Sequence, residues 1–131
     1  MGYKMADKVK ILILDDEKDI LNVIERFMNR KGLVEVKTST NPLEAIELIK
    51  RGDFKMLLTD IMMPEMNGVD VLKEVIKSRP DVKVIMMTAY STIDKILECE
   101  KIGATDYVTK PFISLKDVES KILDHLGIHN V

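Results

Sequence analysis

The chain has 131 residues, 46% of them hydrophobic, which supplies one cored domain but leaves no length for two. With 20 basic against 22 acidic side chains the net charge is −2, so no global field draws the chain toward nucleic acid. No apolar run approaches the roughly 18 residues of a membrane span, the N-terminal MGYKMADK lacks the apolar core of a signal peptide, and the one cysteine, Cys99, cannot form an internal disulfide, as expected in a reducing cytoplasm.

Val9-Lys10-Ile11-Leu12-Ile13-Leu14 is almost continuously apolar and predicts a strand covered on both faces, followed by Asp15-Asp16-Glu17. Ile20, Leu21, Ile24, Phe27 and Met28 then recur on one helical face, and Gly32 supplies the stop. Leu33-Val34-Glu35-Val36 predicts a second strand, running toward Ser39 and Thr40. Asn41-Pro42 reads as an N-cap and first-turn proline ahead of Ala45, Ile46 and Ile49. Lys55-Met56-Leu57-Leu58-Thr59 predicts the third strand, which delivers Asp60 at its end. Val69, Leu72, Val75 and Ile76 mark the third helix, closed before Pro80. The fourth strand, Val82-Lys83-Val84-Ile85-Met86-Met87, ends in Thr88-Ala89. A thin stripe of Ile93, Ile96 and Leu97 predicts the fourth helix, with Cys99 as a small apolar filler. Asp106-Tyr107-Val108 predicts the fifth strand, leading into Thr109-Lys110-Pro111. Ser114 with Asp117 has the form of a capping box ahead of Val118, Ile122, Leu123 and Leu126.

Strand and helix thus alternate five times. That order predicts an α/β fold, a doubly wound parallel sheet with helices on both faces. Right-handed crossovers leave the flavodoxin-like (βα)5 arrangement, strand order 2-1-3-4-5, as the expected topology. The domain is expected over residues 8–127, with residues 1–7 and 128–131 as flexible ends.

In such a sheet, ligands bind at the carboxyl ends of the strands, near the switch point between strands 1 and 3. Asp15, Asp16 and Asp60 should converge there, and clustered carboxylates repel unless a cation intervenes. No histidine or thiol is close in sequence, so an all-oxygen site suits Mg²⁺, or Mn²⁺, over zinc. Lys110 adds a compact positive charge and Thr88 a hydroxyl. Carboxylate, divalent cation, ammonium and hydroxyl together describe a phosphoryl-transfer site. Asp60, alone on its strand, is the candidate nucleophile that would form an acyl phosphate. Each feature alone has an ordinary structural explanation: an acidic pair in a solvated turn, a surface lysine, a helix-capping threonine. Their meeting on one rim is what carries the reading.

These residues, in this order, resemble the receiver domain of two-component response regulators, in the manner of the stand-alone chemotaxis regulator. The matching pieces are Asp15-Asp16-Glu17, Thr59-Asp60-Ile61-Met62-Met63-Pro64-Glu65-Met66-Asn67-Gly68, Met87-Thr88-Ala89-Tyr90, Gly103-Ala104 and Tyr107-Val108-Thr109-Lys110-Pro111-Phe112. The resemblance covers roughly residues 8–126. It implies that Asp60 accepts a phosphoryl group from a histidine kinase or a histidine phosphotransfer protein. Asp16 would hold Mg²⁺ directly and Asp15 largely through water, with the Met62 backbone carbonyl as a further ligand. Lys110 would contact a phosphoryl oxygen, Thr88 would move toward the phosphate, and Tyr107 would turn inward as the aromatic switch. The Lys110-Pro111 bond is expected to be cis. Met62 and Tyr90 would tune the acyl-phosphate lifetime, both being bulky enough to restrict attacking water.

The implied output face is the fourth helix, fifth strand and fifth helix, acting on a downstream protein or on a C-terminal output domain outside this chain. Direct nucleic-acid or membrane binding is not expected, and the expected location is the cytoplasm. The chain is expected to be a signalling domain, not an enzyme, beyond its own phosphotransfer and autodephosphorylation. Gly68 is expected to relieve crowding where the third helix begins. Three other readings compete. An aspartate-nucleophile phosphatase of the haloacid dehalogenase type places a second aspartate where this chain has Met62, and needs a cap domain. A flavin site would be repelled by Asp15-Asp16-Glu17-Lys18-Asp19. A phosphorylation-independent interaction module would not need the intact site.

Overall fold

The computed structural model describes residues 8–89, 94–112 and 114–128. Strands β1 (Val9–Leu14), β2 (Val34–Ser39), β3 (Met56–Asp60), β4 (Lys83–Ala89) and β5 (Asp106–Lys110) alternate with helices α1 (Lys18–Asn29), α2 (Pro42–Arg51), α3 (Gly68–Ser78), α4 (Asp94–Ile102) and α5 (Leu115–Leu126). All pairings are parallel, in the order β2-β1-β3-β4-β5. This is the flavodoxin-like doubly wound sheet expected from the alternation.

Strand parity sorts the core into two layers, because successive side chains point to opposite faces. Leu12, Leu14, Leu57, Val84 and Met86 pack under α2, α3 and α4. Ile11, Ile13, Met56, Leu58, Ile85, Met87 and Val108 pack under α1 and α5. Both faces of the central strands are therefore covered, which is why β1, β3 and β4 carry so few polar residues.

The caps follow the local chemistry. Asn41 Oδ1 accepts from the Leu43 and Glu44 amides, at 2.9 and 3.2 Å, with Pro42 opening α2. Ser114 Oγ accepts from the Lys116 and Asp117 amides at the start of α5. Asn67 does the same for α3, taking the Asp70 amide at 3.0 Å, a cap not foreseen from sequence.

Two expectations need correction. The second strand lies at Val34–Ser39, not 33–36, while β4 and β5 end at Ala89 and Lys110 as expected. Apolar runs stop where side chains turn polar, but the hydrogen-bond ladder continues to the rim. In α4, Leu97 is 67% exposed, and the buried positions are Ile96 and Cys99. Contact with the core along a single i, i+3 line leaves Leu97 outside it; Ile93 lies outside the described residues. The fifth helix buries a charge as well as its apolar stripe. Glu119 is buried, accepts twice from Arg30 at 3.1 and 3.3 Å, and lies 3.4 Å from Lys31, tying α5 to the end of α1.

Candidate functional site

Register determines which side chains meet at the carboxyl rim. Leu14 pairs with Thr59, so Asp15 and Asp60, the next residue of each chain segment, leave the sheet side by side. Asp60 stands opposite Met87 on β4, and Ala89 stands opposite Lys110 on β5. The side chain of Lys110 therefore reaches across β4 toward β3 and β1. Its Nζ lies 2.8 Å from Asp15 Oδ2, 3.2 Å from Asp60 Oδ2 and 3.6 Å from Glu17 Oε1.

Asp15 and Asp60 are buried, whereas Asp16 is exposed. Asp15 Oδ1 accepts from the Glu17 amide at 2.9 Å. Asp15, Asp16 and Asp60 each offer an oxygen within 4.8 Å of the others, the only such grouping of metal-ligating side chains among the described residues. Thr88 is buried in β4 and its hydroxyl donates to the Ala89 carbonyl at 3.0 Å. Tyr107 is half-buried on the α4 side of β5, with the Lys121 ammonium 5.1 Å from its ring centre. Lys121 also donates to the Tyr107 carbonyl at 2.6 Å. The Lys110-Pro111 peptide is cis. Tyr90 lies outside the described residues.

Gly68 controls how closely α3 approaches the site. A Cβ there would stand 2.2 Å from the Asp60 carbonyl oxygen and 2.8 Å from Ile61 Cα. The Gly68 amide donates to the Ile61 carbonyl at 2.7 Å. Only a residue without Cβ lets α3 begin flush against the backbone of Asp60.

The electrostatics show a deficit of positive charge. Burial pushes the Asp15 carboxyl above the usual range, and the Lys110 ammonium only partly offsets it. Asp60 is also pushed up, first by burial and then by the charge of Asp15. For Lys110, burial works against the ammonium, but its hydrogen bonds and attraction to Asp15 and Asp60 prevail and hold its pKa above the ordinary value. Lys110 pairs with Asp15 and Asp60, while Asp16 adds a third converging carboxylate oxygen that this ammonium does not pair with. A hard divalent cation on the Asp16 side would relieve that excess, so the donor set fits Mg²⁺.

The sequence-predicted Asp15, Asp16, Asp60 and Lys110 thus come together. Lys110 sits nearer Asp15 than Asp60, a pairing that the sequence reading did not assign. Glu17 was visible in the acidic run, but only the fold shows it facing Lys110. Met63 and Met66 pack on the α2–α4 core layer, but Met62 is 55% exposed.

A family model for the response regulator receiver domain matches residues 11–122. The chain belongs to that family. It is 36% identical over 122 residues to the transcriptional regulatory protein ZraR of Klebsiella oxytoca, covering 92% of this chain and 27% of that protein. It is 38% identical over 102 residues to the response regulator SaeR of Staphylococcus aureus, covering 78% of this chain and 44% of that protein. The chain therefore spans less than half the length of these curated relatives. Among solved structures, a CheY-like receiver domain protein from Methanospirillum hungatei superposes with a TM-score of 0.86 at 30% identity, covering 92% of this chain and 95% of that one. The receiver is a signalling domain of two-component systems, and no helix among the described residues is long and apolar enough to cross a membrane.

Proposed function

We propose that this receiver domain, set at residues 8–127, accepts a phosphoryl group on Asp60 from a histidine kinase or histidine phosphotransfer protein. The observation that carries the reading is the bridge from Lys110 to both Asp15 and Asp60 beside converging carboxylate oxygens. Asp60 supplies the nucleophilic oxygen, and its carboxylate form is favoured by the ammonium 3.2 Å away. Lys110 holds negative charge that develops on the transferred oxygens, a role for which its fixed position needs no reorganisation. Asp15, Asp16, Asp60 and the Met62 backbone carbonyl are the groups that would hold Mg²⁺. Bound there, the ion would neutralise phosphoryl charge and lower carboxylate repulsion. Thr88 and Tyr107 are the switch residues, with Thr88 exchanging its Ala89 contact for a phosphoryl oxygen. Met62 and Tyr90 set the lifetime by limiting water.

The face formed by α4, β5 and α5 passes the change to a downstream protein or an attached output domain, without nucleic-acid or membrane contact of its own, in the cytoplasm. Exposed Leu97 and the weakly apolar α4 support that assignment. A small phosphodonor such as acetyl phosphate should label the protein stoichiometrically in Mg²⁺, and chelation or Asp60→Asn should abolish the label. Persistent labelling of the Asn variant would assign the acceptor to another residue.

A further inference from the structure

Among the described residues, methionine environments divide sharply. Met28, Met56, Met86 and Met87 are buried, Met63 and Met66 are half-buried, and Met62 is 55% exposed. Met62 is also held at the site. Its backbone amide helps to favour the Asp60 carboxylate, and the turn that carries it is closed by the 2.7 Å bond from the Gly68 amide to the Ile61 carbonyl. The absence of a Cβ at Gly68, with the Asp60 carbonyl packed into that space, keeps the turn against β3. A chemical change on Met62 thus falls two residues from Asp60, in a turn held against β3.

We propose that Met62 is an oxidation site through which hydroperoxides control the lifetime of the phosphoryl group on Asp60, an inference that rests on the phosphoacceptor role proposed above. The thioether sulfur attacks one peroxide oxygen, an S–O bond forms and the O–O bond breaks. The departing oxygen takes up a proton and leaves as water or alcohol. Sulfur loses two electrons and the peroxide gains them. The product, methionine sulfoxide, replaces an apolar cover with a strong hydrogen-bond acceptor and is reversible by sulfoxide reductases. An acceptor at the rim orders water next to the acyl phosphate, where a thioether excludes it. The gain of one net hydrogen bond to attacking water corresponds to about fivefold faster decay.

The test treats the intact protein with limiting hydrogen peroxide, maps sulfoxides by peptide mass spectrometry and follows loss of label after acetyl phosphate and Mg²⁺. Met62 should oxidise ahead of Met63 and Met66, and label should decay about fivefold faster. Sulfoxide reductase should restore the original decay, and peroxide should leave the decay rate of Met62→Leu unchanged. Oxidation of Met62 no faster than Met63 or Met66 overturns the proposal. So does an unchanged decay in fully oxidised protein, or an equal acceleration in Met62→Leu. Failure of the untreated protein to take label overturns the phosphoacceptor reading itself; normal labelling with a peroxide-insensitive decay overturns the oxidation proposal alone.

Discussion

Gly68→Ala is the substitution through which the fold itself can be tested at the site. The added methyl would stand 2.2 Å from the Asp60 carbonyl oxygen, and both neighbouring contacts are backbone, at Ile61 Cα and the Asp60 carbonyl carbon. No flexible side chain can yield. Reaching even about 3.0 Å requires the start of α3 or the end of β3 to move by roughly 0.8 Å. Overpacking of this kind costs about 1–3 kcal/mol, against which alanine's helix preference returns less than about 1 kcal/mol. A net loss of about 2 kcal/mol lowers Tm by roughly 8 °C for a domain of this size. Because the displaced atom belongs to Asp60, the rate of labelling by acetyl phosphate should fall further than stability does, by up to about 100-fold. Gly127→Ala serves as the comparison. It has open space around the new Cβ but a φ of 72°, so it should cost about 1 kcal/mol and leave labelling untouched. Unchanged Tm and labelling in Gly68→Ala, or equal labelling losses in both variants, would refute the argument.

Lys110→Ala should slow labelling about 100-fold, by removing an ammonium that faces the transferred charge, yet tighten Mg²⁺ binding in titration calorimetry because the carboxylates lose a competing cation. Weaker Mg²⁺ binding would contradict the charge deficit described above. Asp81 provides a pH signature remote from the site. Its hydrogen bonds with Arg79 hold the carboxyl down at about 2. A depressed carboxylate stabilises the fold above its unfolded value of about 3.9, and that contribution fades as pH falls toward the folded value. The urea midpoint should therefore drop across this acid window, and Arg79→Ala should raise the Asp81 NMR titration midpoint toward the free value of about 3.9. Arg79→Ala should also lower Tm at every pH, since Arg79 donates to the Ile49 and Gly52 carbonyls at the end of α2.

Strand positions, helix faces and the chemistry at strand ends were legible in the residues because their causes are local. An apolar run such as Ile11-Leu12-Ile13-Leu14 has one stable use, buried on both faces, and Asn41-Pro42 marks a helix start by its own hydrogen bonding and fixed φ. The acidic pair, Asp60 and Lys110 could be brought to one rim by topology alone, since parallel strands deliver their ends to the same side. The resemblance then attached roles to them.

Distance and burial are set by neighbours far along the chain, and these were not legible. The choice of Lys110 for Asp15 over Asp60 depends on how side chains cross β4. The depth of Glu119 depends on Arg30 and Lys31, some 89 residues away for the Arg30 contact. The exposure of Leu97 and Met62, in segments that read as apolar, depends on which flank of a helix or turn the sheet covers. Periodicity and residue type act within a few residues, so the order of elements and the kind of chemistry at the rim could be read from the chain directly. Packing across the sheet sets which oxygens share the ammonium, how near α3 comes to Asp60 and which of the described methionines is most open to solvent, and that packing exists only in the folded chain.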